Sequence, residues 1–411
     1  MRCLPGECIR YGVDIDLLIN IDGNSNPPDT TCMSTNYSPG LAGIIAAQTA
    51  LSSVDGQKGE LLLAGYPVEG LAGKVSVEEM MALLWRDHLP NATELGDLTR
   101  QLSAQRTLAP ITMQVLQAAA ARGENPMDAL RMAAGTLSVG NDAVEHQAVQ
   151  ITAQVPVIVA SYWRLLQDQS LVAPRSDLGH AANFLYMLNG TPADDAQVRG
   201  LETYLNTVVD HGLNASTFAA RVIISTGSDL VSAVVGAIGA LKGPLHGGAP
   251  GPALDMVFEI EQMWGGDPAK AEAYLREKLA RKERLMGFGH RIYRVRDPRA
   301  EVLAQAAELL FQRSGDMHLY DTVKQIEQIA LKVLAEHKPD YPLQTNVEFY
   351  TALLLHGLGL PVALFSPVFA VGRVVGWLAH CIEQQRTGRI IRPESQYVGE
   401  RGRVWKPVAE R

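Results

Sequence analysis

The sequence predicts an almost entirely α-helical protein, and three observations support this fold class. Apolar residues recur at helical spacing through most of the 411-residue chain, for example in residues 193–213. Helix-start signals stand where such patterns begin: Ser76 is followed three residues later by Glu79, and Asp297 is followed by Pro298. Strand-like sequence is confined to VDGQKGELLLAGYPVEGLA, which predicts one small β-hairpin near the N-terminus.

Two long apolar stretches predict helices inside the fold. Residues 144–168 are apolar on most helical faces, which favours a central or interface helix. Residues 349–380 are more apolar still, but His356, Pro361 and Arg373 interrupt them. These interruptions favour consecutive buried helices, and we expect no helix that spans a membrane.

Composition and charge exclude some classes of function. Hydrophobic residues make up 47% of the chain and charged residues 19%, with a net charge of −8 and a pI near 5.7. No basic block is present, so we expect no nucleic-acid partner. An acidic protein that binds an anionic substrate would need arginines placed at its site, so the positions of arginines become informative.

The cysteines indicate a reducing compartment. Three of the four lie within residues 1–36 and the fourth is Cys381, and no zinc-type spacing joins them. Residues 1–36 contain no uninterrupted apolar core, which argues against a secretory signal. We therefore expect a cytoplasmic protein whose residues 1–36 form a poorly ordered N-terminal extension.

A change in composition near Gly247 predicts two domains. Residues 229–243 are rich in small residues, and shorter, more polar helical patterns follow until about residue 353, where apolar helices resume. The pattern predicts a large helical domain of residues 37–247 and 354–411. A smaller helical domain, residues 248–353, is inserted into it, with a cleft between the two.

Five short stretches place a titratable or cationic residue beside turn-forming or small residues. They are DHGLNAST (His211, Asn214), GPLHGGAP (His246), MGFGHRIYRVRDPRA (His290, Arg294, Arg299), TNVEFYTA (Glu348), and AVGRVVGW with IIRPESQYVG (Arg373, Arg392).

Each of these stretches also has an ordinary structural interpretation. A histidine beside glycines is usually a loop residue, and Glu348 could simply stabilise the first turn of a helix. Arg373 is different, because a guanidinium buried in an apolar helix is costly without an anion. A zinc site built from three of the histidines is an alternative, but their spacing matches no local metal-binding pattern, and we expect no metal.

In combination, these motifs resemble the citrate synthase family over about residues 37–402. The specific elements are GPLHGGA, MGFGHRIY with DPRA, and RPESQYVG. The similarity is strongest to the short bacterial citrate and 2-methylcitrate synthases. The resemblance implies an almost all-α fold with a large and a small domain, a homodimer or an assembly of dimers, and no permanently bound cofactor.

The resemblance also implies residue roles. His246 would hydrogen-bond the thioester carbonyl of the co-substrate acetyl-CoA, Glu348 would remove a proton from its methyl group, and His290 would polarise the ketone of oxaloacetate. Oxaloacetate or citrate would be held by His211, Asn214, Arg299, Arg373 and Arg392, with Arg392 reaching the site of the partner subunit. Coenzyme A would be held by Leu285, Met286, Gly287, Phe288, Gly289 and Arg294.

These residue types suit that chemistry. A thioester methyl group is a weak acid, so a carboxylate base needs simultaneous stabilisation of the enolate oxygen. Arginine forks match carboxylates bidentately, which would allow an acidic protein to bind an acidic substrate.

The sequence departs from the family at two positions. Glu348 stands where an aspartate is usual, which changes the reach of the base, and Gly372 stands where a serine commonly precedes the arginine. We expect Gly372 to loosen the surroundings of Arg373.

The sequence leaves three functions open. Citrate synthesis from acetyl-CoA leads, 2-methylcitrate synthesis from propionyl-CoA is the near alternative, and a non-catalytic assembly or regulatory protein that retains the old site is the third. A citryl-CoA lyase ranks lower, because nothing resembles an added nucleotide-binding module.

Overall fold

The computed structural model of the chain describes residues 37–246, 250–265, 267–290, 292–339 and 343–411. The expectation for residues 1–36 therefore lies outside the described residues. The described residues form two compact units: one spans residues 47–394, and the other combines residues 37–46 with 395–411.

The larger unit is helical. Its helices are α1 (Val68–Leu71), α2 (Val77–Arg86), α3 (Ala92–Ala104), α4 (Pro110–Ala121), α5 (Pro126–Ala134), α6 (Val144–Leu166), α7 (His180–Asn189), α8 (Asp195–Val208), α9 (Ala215–Ser225), α10 (Leu230–Leu241), α11 (Pro250–Trp264), α12 (Pro268–Ala280), α13 (Pro298–Ser314), α14 (His318–His337), α15 (Val347–Gly357) and α16 (Phe365–Thr387).

The smaller unit contains two short 3-10 turns, Pro39–Leu41 and Val408–Glu410. Most of its residues are exposed, including the large apolar side chains of Ile45, Val398 and Trp405.

The predicted hairpin is confirmed, and a third short strand extends it. Strands β1 (Ser52–Asp55), β2 (Glu60–Leu63) and β3 (Tyr66–Pro67) form an antiparallel sheet in the order β1-β2-β3. In the hairpin, Asp55 pairs with Glu60. The turn between them is closed by the Asp55 carboxylate, which accepts hydrogen bonds from the backbone N–H groups of Gln57 and Lys58, each at 3.0 Å.

Helices α6 and α16 form the centre of the larger unit. Helix α6 is buried from Ile151 to Tyr162, as its all-round apolar sequence predicts. Helix α16 packs against α6, α8, α9 and α10. With the 3-10 turn before it, it forms a segment, Val362–Arg386, that is long and apolar enough to cross a membrane, with a mean hydropathy of 1.7. Since 78% of its most apolar 18 residues are buried inside the protein, the segment has the surroundings of a core helix.

The helix-start signals read from the sequence are confirmed. The Ser76 hydroxyl accepts a hydrogen bond from the backbone N–H of Glu79, whose carboxylate accepts one from the N–H of Ser76, so α2 begins with a capping box. The Asp297 carboxylate accepts from the N–H of Arg299 at 3.0 Å and begins α13, with Pro298 in the first turn. Both caps satisfy N–H groups that the helix itself cannot pair.

Two glycines allow α16 to approach the end of α8. A Cβ placed on Gly376 would lie 2.1 Å from the backbone oxygen of Val209. A Cβ on Gly372 would lie 3.0 Å from the backbone oxygen of Leu205 and 2.9 Å from a methyl group of Val208. Both contacts involve the segment that leads directly into Asp210 and His211. The position of that segment against α16 therefore depends on the lack of a side chain at Gly372 and Gly376.

We predict that Gly376→Ala destabilises the protein by about 1–3 kcal/mol, because an added methyl group would overlap a backbone oxygen that cannot rotate away. Gly96→Ala is the matched control. Gly96 lies inside α3, and a Cβ added there would have nothing within 4 Å, so alanine should stabilise the helix by about 0.5–1 kcal/mol. The measurement is the free energy of unfolding in urea. Equal stability of the Gly376→Ala variant and the parent chain would contradict the contact.

Candidate active site

The structure brings His211 and His290 together from separate motifs of the sequence. His211 lies in the turn between α8 and α9, and His290 lies in the segment that leads to α13. Their ring centroids are 5.8 Å apart. Tyr293 lies against both: its hydroxyl is 3.1 Å from Nε2 of His211, and its ring centroid is 4.8 Å from that of His290.

The backbone fixes the tautomer of His290. Its Nδ1 accepts hydrogen bonds from the N–H groups of Ile292 at 3.0 Å and Tyr293 at 3.1 Å. Nδ1 is therefore unprotonated, and in the neutral ring the proton resides on Nε2. Burial lowers the pKa of His290 to about 4, and the nearby Arg299 acts in the same direction. The ring is neutral near pH 7 and has one N–H donor.

His246 is held in the opposite tautomer. It follows α10, and its Nε2 accepts a hydrogen bond from the backbone N–H of Ser216 at 3.3 Å and lies 2.8 Å from the Ser216 hydroxyl. That hydroxyl also accepts from the indole N–H of Trp377 at 3.1 Å. The proton of neutral His246 is therefore on Nδ1. Burial lowers the pKa of His246 to about 4, with Arg373 contributing.

Two buried arginines lie beside these histidines. Arg299 is 4% exposed and forms a bidentate pair with Asp297, with Nε–Oδ1 and Nη2–Oδ2 distances of 3.0 and 2.8 Å. Arg373 is 2% exposed, and its Nε donates to the backbone oxygen of Val208. Among the described residues, no carboxylate lies within ion-pair distance of Arg373. Burial lowers its pKa to about 10, so this guanidinium is still a cation at neutral pH and can accept an anionic group.

Glu348 lies in the first turn of α15, where the Asn346 side chain accepts a hydrogen bond from its N–H at 2.9 Å. Its carboxyl group interacts electrostatically with Asp297, Arg299 and Arg373. Burial raises the pKa of Glu348 to about 7, although the two arginines act in the opposite direction. The group is therefore poised to gain or lose a proton near neutral pH.

The two arginines that act on Glu348 also interact electrostatically with the site histidines. Burial lowers the pKa of His211 well below its usual value, and Arg299, Arg373 and His290 all contribute. The six residues that the structure brings into one region are His211, His246, His290, Arg299, Glu348 and Arg373.

Residues 285–289, predicted to bind coenzyme A, lie against the start of α15. Gly289 N–H donates to the Gln344 oxygen at 2.7 Å, and Asn346 N–H donates to the Gly287 oxygen at 2.9 Å. Phe288 and Thr345 form an antiparallel bridge between the two segments. Gly287 and Gly289 have left-handed φ angles of 84° and 79°. Leu285 and Phe288 are buried and Met286 is half-buried, so the segment is also part of the packing that holds Glu348.

Three other predicted residues lie at the edge of this group or away from it. Asn214 caps α9: its Oδ1 accepts from the Thr217 N–H at 3.0 Å, and its amide donates to the Gly212 oxygen and the Thr217 hydroxyl. Arg294 is exposed, and its N–H donates to the Gly56 oxygen at 2.8 Å. Arg392 is exposed in the segment after α16, and within the described part of the chain no hydrogen bond or ion pair joins it to the histidines.

Gly372 does not loosen the site, contrary to expectation. A Cβ at Gly372 would collide with Val208 and Leu205. Glycine therefore permits the close approach of α16 in which Arg373 donates its hydrogen bond to the Val208 oxygen.

A buried polar network lies next to His211, and the sequence motifs did not predict it. His380 Nε2 donates to Asp210, 3.2 Å away, and its Nδ1 accepts from Arg221 at 2.9 Å. Arg221 also pairs with Glu383 at 2.5 Å. Asp210 and His380 are fully buried. Because Asp210 directly precedes His211, this network anchors the turn that presents the histidine.

Sequence reasoning missed Tyr293, Ser216, Asp297 and His380 as contributors to the site. Tyr293 and Asp297 lie within the MGFGHRIYRVRDPRA motif, and Ser216 lies two residues after Asn214. His380 follows Arg373 by seven residues, which places both on one helical face. That spacing is a signal the sequence did contain.

The arrangement defines a class of enzyme. Neutral histidines of fixed and opposite tautomer, a carboxyl group with a raised pKa and buried cationic forks can transfer protons while holding a carboxylate substrate. No group of three or more His, Cys, Asp or Glu side chains in the described ranges could hold a metal ion. The fold and site are those of a helical acid–base enzyme that acts on an anionic substrate.

The chain belongs to the citrate synthase family. A family model described as "Citrate synthase, C-terminal domain" matches residues 40–394. A citrate synthase of Haloferax volcanii is 39% identical over 390 residues, covering 92% of this chain and 100% of that protein. A 2-methylcitrate synthase of Mycobacterium tuberculosis is 40% identical over 371 residues, covering 89% of this chain and 91% of that protein.

A solved structure agrees with these relatives. The citrate synthase of Thermoplasma acidophilum, in a ternary complex with carboxymethyl coenzyme A and oxaloacetate, superposes with a TM-score of 0.81 at 29% identity and covers 91% of this chain and 99% of that chain. The resemblance read from the motifs and the all-α fold class are thus confirmed. The chain is an acyltransferase of the citrate synthase type, which removes the non-catalytic alternative.

Proposed function

We propose that the chain condenses acetyl-CoA with oxaloacetate and water to give citrate and free CoA. The observation that supports this most directly is the pair of neutral histidines, His246 and His290, held with their protons on Nδ1 and Nε2 respectively. A condensation between two carbonyl compounds needs one donor for each carbonyl oxygen, and the site supplies one ring N–H for each.

The proposed reaction has three steps. The Glu348 carboxylate takes a proton from the acetyl methyl group, and the N–H of His246 donates a hydrogen bond that stabilises the resulting enolate oxygen. The enolate carbon then forms a bond to the ketone carbon of oxaloacetate as the electron pair of the C=O bond moves to the ketone oxygen, which takes the Nε2 proton of His290 and becomes a hydroxyl group. The proton held by Glu348 returns to His290 through water, which restores both groups. Water finally cleaves the thioester of the resulting citryl-CoA, giving citrate and the CoA thiol.

The substrate carboxylates would supply an anion to the buried Arg373 guanidinium. We assign oxaloacetate and citrate to His211, Arg299 and Arg373, with Asn214 at the border of the site and Arg392 supplied by a partner subunit. Bidentate arginine contacts explain how a chain with a net charge of −8 attracts an acidic substrate. Coenzyme A would lie along residues 285–289 and Arg294.

We also propose the assembly, domain division and location that the sequence predicted. Two copies of the chain form a homodimer that shares its active sites, and residues 248–353 form the small domain inserted into the large one. A buried free thiol at Cys381 supports a reducing compartment, which we take to be the cytoplasm.

A second candidate reaction uses propionyl-CoA and gives 2-methylcitrate. The observation in its favour is the 40% identity with the 2-methylcitrate synthase of Mycobacterium tuberculosis, which is as high as the 39% identity with the citrate synthase of Haloferax volcanii to within one percentage point. The residues that act on the carbonyl groups would be the same.

We predict that the purified chain releases free thiol from acetyl-CoA only when oxaloacetate is present, because the enol needs the ketone as its acceptor. The measurement is thiol release with acetyl-CoA and propionyl-CoA side by side, with and without oxaloacetate. A kcat/KM for propionyl-CoA that exceeds the acetyl-CoA value would reverse the order of the two candidates. If neither acetyl-CoA nor propionyl-CoA releases thiol in the presence of oxaloacetate, the proposed function is refuted.

We predict that Glu348→Gln lowers kcat by about 10²–10⁴-fold, the usual contribution of a positioned base. The pKa of Glu348, about 7, gives the pH dependence its sign: the base must be ionised, so kcat/KM rises with pH below about 7 and levels off above it. The site histidines are already neutral there and add no further step. The measurement is a pH profile of kcat/KM with the Kd for oxaloacetate, which should change little.

Glu301→Gln is the control for Glu348→Gln. It removes an exposed acid from the first turn of α13 and should leave kcat and the pH profile unchanged. Glu348→Asp tests the reach of the base: a loss of rate would show that the surrounding backbone is adapted to the longer side chain, and an equal or higher rate would show that it is not. Near-normal turnover of Glu348→Gln would assign the base to another residue.

We predict that inactive Arg392→Ala and His290→Ala chains restore activity when they are mixed, because each hybrid dimer contains one site with both residues intact. Random pairing of equal amounts gives roughly a quarter of the parent activity. Mixing His246→Ala with His290→Ala is the control, since both residues come from one chain and no hybrid site is complete. Hybrid dimers that form without activity in the first mixture would disprove sharing.

A further inference from the structure

The turn of the β1–β2 hairpin touches the segment that carries His290. A Cβ on Gly56 would lie 2.2 Å from the backbone oxygen of Ile292, and the Gly56 oxygen accepts a hydrogen bond from the Arg294 N–H at 2.8 Å. Gly59, at the other end of the turn, has a φ of 68°, and a Cβ there would lie 2.6 Å from a methyl group of Val295. The turn can approach the His290 segment this closely because neither glycine has a side chain.

The base of the same hairpin holds the residues on both sides of His211. The Ser52 hydroxyl donates a hydrogen bond to the Asp210 carboxylate and accepts one from the Gly212 N–H at 2.9 Å. The first residue of β1 is thus attached to the His211 turn, and the turn that follows β1 is attached to the His290 segment.

These contacts close a ring. From Ser52 it runs through the His211 turn, across the hydrogen bond to Tyr293, along the segment to Ile292, and back through Gly56 and β1. Ile292 and Tyr293 are the residues whose N–H groups hold Nδ1 of His290. A shift of this segment therefore shifts the direction in which His290 presents its remaining N–H.

We propose that the β1–β2 hairpin is a positioning element of the active site, in which the bare backbone at Gly56 and Gly59 sets the placement of His290 relative to His211. This inference rests on the proposed function for its kinetic test. None of the hairpin residues touches substrate in this assignment, so they are positioning residues and not catalytic ones.

The first test is Gly56→Ala, with Gly73→Ala as the matched control. An ordinary contact needs 3.4 Å or more, so the added methyl group must push Ile292 away by over 1 Å. A displacement of that size costs about 10²-fold in rate at a catalytic group. Gly73 has nothing within 4 Å of its Cβ position and no left-handed φ, so its alanine variant should behave as the parent chain.

We expect Gly56→Ala to lower kcat and to raise KM for oxaloacetate. The overlap with the Ile292 oxygen also lowers its melting temperature, so the rates of Gly56→Ala and Gly73→Ala are compared at a temperature at which both variants are fully folded. The second readout is independent of activity. In ¹⁵N-histidine NMR spectra, the ring signals of His290, assigned through a His290→Gln variant, should shift in Gly56→Ala and not in Gly73→Ala.

The second test is a double-mutant cycle between the turn and the segment. Gly59→Ala should lower kcat/KM by about tenfold, and adding Val295→Ala should recover at least about threefold of that loss, because it removes the methyl group that the new Cβ meets. Any strain from the left-handed φ is the same in Gly59→Ala and in the double variant, so it does not contribute to the recovery. Recovery thus isolates the contact from damage to the hairpin.

The outcomes separate the inference from the proposed function. A parent chain without thiol release refutes the proposed function, and the His290 NMR signals then still decide the inference. Unchanged His290 signals and a kcat/KM within twofold of the Gly73→Ala control would overturn it. So would a Gly59→Ala defect that Val295→Ala leaves unaltered.

Discussion

The close contact between α16 and the end of α8 is the constraint on which the site depends. Gly372 and Gly376 allow α16 to lie against residues 205–209. Three side chains of α16 then form hydrogen bonds with residues between the end of α8 and the start of α9. Arg373 bonds the Val208 oxygen, Trp377 bonds Ser216, and His380 bonds Asp210. Their spacing of four and then three residues is that of a single helical face. One rigid helix therefore aligns the supports of His211 and His246 with a buried cation.

Burial determines the protonation states of the site. It lowers the pKa values of His211, His246 and His290 and raises that of Glu348, because a low-dielectric interior disfavours the charged forms. The two arginines remain cationic, since even the lowered pKa of Arg373 is about 10. Arg299 already pairs with Asp297, and among the described residues no carboxylate lies within ion-pair distance of Arg373, so the Arg373 guanidinium is the cation that can receive an anionic group. Electrostatic complementarity is local, and the overall negative charge of the chain does not oppose it.

The sequence could predict the features that are local in the chain. The capping box at Ser76, the start of α13 at Asp297 and the hairpin all follow from residues within a few positions of one another. The motif residues could also be chosen, because a histidine or arginine amid glycines or in an apolar helix is conspicuous. The sequence could not predict contacts that arise only when distant segments pack, such as the Cβ-free approach at Gly372 or the pairing of Ser216 with His246.

One expectation failed for that reason. Judged by chain neighbours alone, Gly372 suggested a looser environment, whereas the tertiary structure places it where a Cβ would lie 2.9 Å from a Val208 methyl group and 3.0 Å from the Leu205 oxygen. The support from Asp210 and His380 was equally hidden, because 170 residues separate them.

The pairing of residues 287–289 with residues 344–346 has a mechanical consequence. Three hydrogen bonds tie the two segments together: Gly289 N–H to the Gln344 oxygen, Asn346 N–H to the Gly287 oxygen, and the Asn346 amide to the Gly289 oxygen. Glu348 follows two residues later, in the first turn of its helix. A displacement of residues 287–289 would therefore also move the start of α15, and the Glu348 carboxylate would move with it.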